Sequence, residues 1–189
     1  MIYLLLPAYN EESSLAPLLP KIDKAFTEDM KIDYHIIVCD DGSNDKTPVM
    51  LKEYSTVYPM TIITHRLKRG LGETSRDLFE KAAEISNDND IIIRMDCDDT
   101  HEPEFIPGML KQIENGCDVV IASRFVEGGG QEGLDFYRST ISKLANLFMK
   151  FFFPIKGLKE YSSGFRAYKA TTIKHAINIF GNNFIQLKG

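Results

Sequence analysis

The chain is poor in cysteine, with three in 189 residues. Cys39, Cys97 and Cys117 are too few and too scattered for a disulfide scaffold or a zinc motif. Each falls within or beside a segment that reads as a strand, where a free thiol acts as a small hydrophobe, so a reducing compartment is expected. No stretch reaches the ~20 apolar residues needed to span a bilayer. Met1 to Leu6 is apolar but short, carries no basic leader and runs into Pro7, so no signal peptide is read there. Basic charge is not in excess either. Lys and Arg total 22 against 27 Asp and Glu, a net charge of −5 that counts against a general nucleic-acid binder. Internal repeats and low-complexity segments are lacking as well. What is left, 43% hydrophobic and 26% charged residues, is an ordinary globular composition. The length suits one domain with a substantial core.

Strand-like and helix-like segments alternate along the first two thirds. Ile2–Leu6, Tyr34–Cys39, Thr61–His65, Ile91–Met95 and Val119–Ala122 read as strands. Between them lie helical segments at Glu11–Phe26, Pro48–Tyr58, Leu71–Ser86 and Pro103–Glu114. Asn10 is expected to cap the first, made irregular or short by Pro17 and Pro20. Thr47 is expected to cap the second, with Pro48 at its favoured first position. This alternation implies a mostly parallel sheet with helices packed over it and right-handed crossovers. After residue 125 the pattern changes. Glu127–Gly133 reads as a loop, Phe136–Phe153 as an aromatic-rich helix, Phe165–Tyr168 as a strand and Thr171–Phe180 as a last helix. No clear closing element follows, and the chain is expected to be a fragment lacking a C-terminal part.

The densest chemical signal is Ile91-Ile92-Ile93-Arg94-Met95-Asp96-Cys97-Asp98-Asp99. An apolar run fit for a buried parallel strand ends in three carboxylates. Ligands of open α/β sheets bind just beyond such strand ends. Carboxylates crowded together repel, so a cation is expected among them. Mg²⁺ is commonly held by one or two carboxylates plus substrate phosphates. A solvated acidic turn capping the next helix would read the same way.

Three further clusters follow strands and would share that sheet edge: Pro7-Ala8-Tyr9-Asn10-Glu11, Asp40-Asp41-Gly42-Ser43-Asn44-Asp45, and Arg66 to Gly72. Turn and capping chemistry accounts for Ser43 and Asp45. Asp40 directly follows a buried strand, where a carboxylate can accept hydrogen bonds from a nucleotide base or ribose. Lys68-Arg69-Gly70-Leu71-Gly72 opens a helix whose N-terminus favours anions. It is not the dinucleotide fingerprint, because the third glycine is absent.

Taken together, Pro7-Ala8-Tyr9-Asn10-Glu11, Cys39 through Thr47, Gly70-Leu71-Gly72 and Asp96-Cys97-Asp98 resemble family 2 glycosyltransferases of the GT-A fold. Ser123-Arg124-Phe125, Arg138 and Ser163-Gly164-Phe165-Arg166-Ala167-Tyr168 resemble the polyprenyl-phosphate branch, typified by dolichyl-phosphate mannosyltransferase. Glu160 stands where that branch usually has Asp. The resemblance implies a Rossmann-like α/β domain over residues 1–189, with a nucleotide-binding half at 1–100 and an acceptor-binding half at 101–189. Its sheet would be mostly parallel, with helices on both faces.

The same resemblance implies a metal-dependent enzyme that moves a sugar, with inversion, from a GDP- or UDP-linked donor to a polyprenyl phosphate. Pro7, Ala8, Tyr9 and Glu11 would wall the nucleotide pocket, and Asp40 would hold base or ribose. Gly70, Gly72 and Cys97 would border the substrate. Asp96 and Asp98 would bind Mg²⁺ or Mn²⁺, with Asp98 counted as catalytic, while Asp99 either orients the site or begins the helix. Arg124 and Arg138 would grip the acceptor phosphate through bidentate hydrogen bonds and are counted as catalytic and substrate-binding. Arg166 is placed lower, as structural in its strand. The aromatic, lysine-interleaved helix at 136–153 suits a headgroup region, though its apolar face would equally suit the sheet. The chain is therefore expected at the cytoplasmic face of a membrane.

Two other readings stay open, and the residues after strand one count against a third. A family 2 transferase acting on a saccharide or protein hydroxyl would need a carboxylate base, for which Glu102 and Glu104 are available. A nucleotide-sugar-binding domain without turnover would keep the donor residues alone. A sugar nucleotidyltransferase would carry a glycine-rich basic loop after strand one, where this chain has Pro7-Ala8-Tyr9-Asn10-Glu11.

Overall fold

The computed structural model describes residues 1–98, 101–123, 146–155 and 157–181. Asp99, Arg124, Arg138, the loop expected at 127–133 and the first part of the helix expected from Phe136 lie outside them. The strands are β1 (Ile2–Ala8), β2 (Tyr34–Asp40), β3 (Met60–Thr64), β4 (Ile91–Arg94), β5 (Val119–Ile121) and β6 (Arg166–Lys169). The helices are α1 (Glu12–Lys24), α2 (Thr47–Tyr54), α3 (Leu71–Ile85), α4 (Ile106–Glu114), α5 (146–152) and α6 (Ala170–Phe180).

The six strands lie in the order β3-β2-β1-β4-β6-β5. β1 pairs in parallel with β2 and with β4, and β2 in parallel with β3. Every residue of β1 is buried, as a central strand covered on both faces requires. Side chains alternate across the pleat. Ile2, Leu4 and Leu6 pack with Leu15, Leu18, Leu51, Ile106 and Leu110 of α1, α2 and α4. Tyr3 and Leu5 pack on the opposite face with Leu78, Phe79 and Ala82 of α3 and Ile173 of α6. Burying each such leucine contributes about 1.5–3 kcal/mol.

Four expectations are corrected. The strand read at Phe165–Tyr168 is shifted by one residue and runs antiparallel to both β4 and β5, because apolar patterning fixes a strand's faces but not its direction. Asn10 does not cap α1. It takes a left-handed backbone (φ 57°), and its Oδ1 accepts the N–H of Asn44. Thr47 is the first residue of α2 rather than its cap, and its Oγ1 accepts the N–H of Glu11 at 2.8 Å. Asp45 serves both helix starts instead, accepting from the N–H of Thr47 at 2.9 Å and of Glu12 at 3.2 Å. Cys117 is exposed, while Cys39 and Cys97 are buried as read. Pro17 and Pro20 lie on the solvent face of α1, which continues past both before a π-helical turn at Ala25–Met30.

Candidate active site

The parallel strands β1, β2 and β4 deliver their carboxyl ends to one edge of the sheet. There the segments after them form an open cleft of about 240 Å³. Pro7, Ala8, Tyr9 and Glu11 line it from the β1 side, and Asp96, Cys97 and Asp98 from the β4 side. Asp41, Lys68, Leu71 and Thr74 complete it. Seven residues expected at the site therefore meet around one space, while Asp40, Gly70 and Gly72 are not among its lining residues.

Asp40 and Asp41 part company because of the pleat. Asp40 pairs with Ala8 at the last position of β2 and is 1% exposed, with its Oδ1 accepting the N–H of Ser43. The next residue turns the other way, toward the segment after β3. Asp41 Oδ1 accepts the N–H of Arg69 at 2.7 Å and lies 2.7 Å from His65 Nδ1, while Oδ2 accepts the N–H of Gly70 at 2.8 Å. Burial alone would raise this carboxyl. The hydrogen bonds from His65, Arg69 and Gly70 outweigh it and hold the group below the ordinary aspartate value.

His65 is buried, and its second nitrogen, Nε2, lies 2.8 Å from Asp77 Oδ2 on α3. Two carboxylates thus face the two nitrogens of one imidazole, a clamp that fixes segment 65–70. Two glycines make the segment possible. Gly42 lies so close to it that a side chain would meet the backbone of Leu67 and Lys68 at 2.8 Å. Gly70 adopts φ 92° just before α3, where L side chains are strained. Lys68 Nζ then sits over the Tyr9 ring, 3.5 Å from its centroid.

The β4 side is different. Asp96 Oδ1 pairs with Arg94 at 2.9 Å, and the Asp96 N–H donates to His101 Nδ1 at 2.9 Å. Asp98 is exposed. Glu11, facing them, accepts from Ser14 Oγ, yet burial and then the charges of Asp98, Asp45 and Asp96 keep its carboxyl above the ordinary glutamate value. Burial raises the Cys97 thiol too, and the charges of Glu11, Asp98 and Asp96 add to it. Among the described residues no set of three or more His, Cys, Asp or Glu forms a closed metal cage. A pair of rim carboxylates with excess negative charge beside them fits a hard cation that takes its other ligands from a diphosphate.

Asp41, Lys68, Leu71 and Thr74 were missed as lining residues in the sequence. The signal for the first three was their place inside the clusters after strands two and three. Arg166 donates to the carbonyls of Ser163 and Tyr161, both at 2.7 Å. Glu102 pairs with Lys21 at 3.4 Å, and neither it nor Glu104 lines the cleft. Helix α5 and the residues after it carry Leu147, Phe148, Phe151, Phe152, Phe153 and Ile155 more than half exposed. No helix among the described residues is long and apolar enough to cross a membrane.

Comparison with known proteins agrees with this geometry. The glycosyl transferase family 2 profile matches residues 3–179. The chain is 34% identical over 174 residues to a dolichol-phosphate mannosyltransferase of Pyrococcus furiosus, covering 92% of this chain and 47% of the relative. It is 29% identical over 172 residues to a polyprenol monophosphomannose synthase of Mycolicibacterium smegmatis, covering 90% and 62%. The chain thus spans about half to three fifths of the curated relatives it matches. Among solved structures, it superposes on glucosyl-3-phosphoglycerate synthase of Mycobacterium tuberculosis, in complex with Mn²⁺, UDP and glucosyl-3-phosphoglycerate, with a TM-score of 0.63 at 22% identity. That match covers 90% of this chain and 57% of the other. A mannosyltransferase of Pyrobaculum calidifontis in complex with GDP-mannose and Mn²⁺ gives a TM-score of 0.60 at 16% identity, over 95% and 46%. The fold is that of the GT-A glycosyltransferases.

Proposed function

Since this chain belongs to glycosyl transferase family 2, we propose that it provides the donor site and part of the acceptor site of an inverting transferase. That enzyme moves a sugar from a nucleotide diphosphate sugar to a polyprenyl phosphate. The observation that carries this reading is the cleft itself. On one side Asp41 is held ready as an acceptor beside the cation of Lys68, and on the other two carboxylates crowd Glu11.

Asp41 takes the base or ribose role first assigned to Asp40. Three of its roughly four lone-pair sites are engaged by His65, Arg69 and Gly70, which leaves one for an N–H or O–H of the donor. Pro7, Ala8 and Tyr9 wall the nucleotide. Lys68 is braced over the Tyr9 ring on the same wall. Asp96 and Asp98 are the residues that would hold Mg²⁺ or Mn²⁺. When bound, such an ion supplies Lewis-acid neutralisation of the departing diphosphate.

A phosphate acceptor supports the remainder of the reading. Its second pKa is near ~6, so it attacks as a dianion and needs no carboxylate base. This suits a cleft that Glu102 and Glu104 do not line. Arg124 and Arg138 would hold that phosphate. Relatives described as dolichol-phosphate and polyprenol-phosphate transferases support the acceptor class. The exposed aromatic run from Leu147 to Ile155, interleaved with Lys150, supports work at a membrane surface.

A donor panel tests this: GDP- and UDP-sugars against a short polyprenyl phosphate, with Mg²⁺ or Mn²⁺, using the full-length protein. Transfer to the lipid phosphate from one donor class is the expected result. Transfer only to saccharides would overturn the acceptor, and metal-dependent nucleotide binding without transfer to any acceptor would leave a binding module.

A further inference from the structure

We propose that Arg94 is a positioning residue for the donor cleft: its guanidinium fixes the Asp96 carboxylate and ties it to the Gly164 carbonyl on the segment leading into β6. The inference rests on the proposed donor role of Asp96.

Arg94 stands where an apolar side chain would be expected. It closes the run Ile91-Ile92-Ile93 and pairs in register with Leu5 on one side and Arg166 on the other. It is only 9% exposed. Burying a charge in such a place is costly unless the charge is paired, and a well-packed apolar residue often stabilises as much or more. Stability alone therefore gives little reason for an arginine here. Its contacts give a better one. One terminal nitrogen lies 2.9 Å from Asp96 Oδ1, and the other donates to the Gly164 carbonyl at 2.9 Å.

Asp96 is held from several directions. Besides Arg94 it has His101, whose Nδ1 accepts the Asp96 N–H and whose Nε2 lies 3.7 Å from Oδ2. His101 is itself stacked on Phe165, 5.0 Å between ring centroids. The Asp96 side chain keeps about a third of its surface open (34%) and lines the cleft. Fixing one oxygen by a guanidinium leaves the rest of the carboxylate presented in one orientation. Gly164 completes the device, because a Cβ there would sit 2.0 Å from Arg94 Nη1 and 3.1 Å from Asp96 Oδ2. A side chain at 164 and the guanidinium cannot both occupy that space. The Asp96 carboxylate is thereby tied through Arg94 to the segment leading into β6.

The test uses Arg94→Met, which keeps volume and removes charge, and Gly164→Ala, which displaces the guanidinium without changing residue 94. Mn²⁺-dependent binding of GDP and of UDP is followed by calorimetry, bound Mn²⁺ by electron paramagnetic resonance, and folding by thermal unfolding. Each variant is expected to remain folded and to lose about ten- to a hundredfold in Mn²⁺-dependent nucleotide affinity, the range typical of groups that orient a metal ligand. Arg94→Lys is expected to recover part of it. The double variant is expected to be no worse than the weaker single one, since both act through one contact. Wild-type affinity in a folded Arg94→Met or Gly164→Ala variant, or fully additive losses, would overturn the Arg94 role while leaving the donor site standing. If the wild-type protein binds neither nucleotide with Mn²⁺, the donor site fails and the Arg94 role falls with it.

Discussion

Two carboxyl groups on the same cleft are pushed in opposite directions. Asp41 is buried, yet His65 and two backbone N–H groups hold its carboxyl low. Glu11 is part-buried, and burial together with Asp98, Asp45 and Asp96 pushes its carboxyl high. The β2–α3 side is thus complete from protein groups alone: anion, imidazole, second anion and paired arginines. The β4 side carries crowded carboxylates, of which Arg94 pairs with Asp96. The comparison teaches that the first side is finished by protein groups, whereas the second keeps an excess of negative charge, and the proposed donor and cation roles divide along that line.

The largest effect should come from breaking the finished side. His65→Leu leaves Asp41 and Asp77 facing an apolar group. Losing its imidazole partner costs each carboxylate about 1–3 kcal/mol, so urea denaturation should show a loss of about 3 kcal/mol over the two, with Arg69 and Arg76 still facing Asp77. A loss under about 1 kcal/mol would mean that the clamp is not what holds segment 65–70.

Breaking the other side should leave the fold intact and remove function. Asp98→Ala is expected to lower Mn²⁺-dependent nucleotide binding at least about a hundredfold, roughly 2.7 kcal/mol, because it removes a metal-binding group rather than a group that orients one. Thermal unfolding should show the variant still folded. Unchanged nucleotide binding in calorimetry would end the metal role of the β4 side.

The opposite shifts also predict opposite pH behaviour. Asp41 has a depressed folded value. Its contribution is therefore complete above the unfolded value of about 4 and is lost as pH falls through the lower folded value. Glu11 has a raised folded value. Its contribution is present below the unfolded value of about 4.3 and is lost as pH rises through the higher folded one. Urea stability measured across acid pH should accordingly show a shallower low-pH decline in Asp41→Asn, where Asp45 and Asp90 still contribute, and a smaller loss at higher pH in Glu11→Gln. Equal profiles for the two variants would erase the contrast between the sides.

The sequence made the rim readable because Ile91-Ile92-Ile93 ends so abruptly in Asp96 and Asp98, and because β1 and β2 end in equally polar segments. It could not separate Asp40 from Asp41. One step along an extended chain reverses the side a residue faces, and only the pairing of Ala8 with Asp40 fixes which carboxylate reaches the cleft. The helix starts misled for a related reason. Asn10, Asp45 and Thr47 have the right chemistry for local caps, but α1 and α2 begin side by side and exchange these groups across the gap. Nothing in the sequence set Arg94 apart, since Gly164, the partner that explains it, lies 70 residues away in sequence.

The smallest expected effect tests whether the finished side is as rigid as its hydrogen bonds suggest. Lys68 lines the cleft on a flexible stem, braced by the Tyr9 ring. A cation over an aromatic ring at an accessible site is worth about 0.5–1 kcal/mol. Lys68→Met should therefore weaken GDP or UDP binding only a few fold if the brace is the main contribution. Tyr9→Leu should do the same, and the double variant should show coupling of the same size. A loss beyond about tenfold in Lys68→Met, with Tyr9→Leu still mild, would mean that Lys68 meets the diphosphate directly. The β2–α3 side would then supply charge neutralisation as well as recognition, and the contrast between the two sides would narrow to the carboxylates alone.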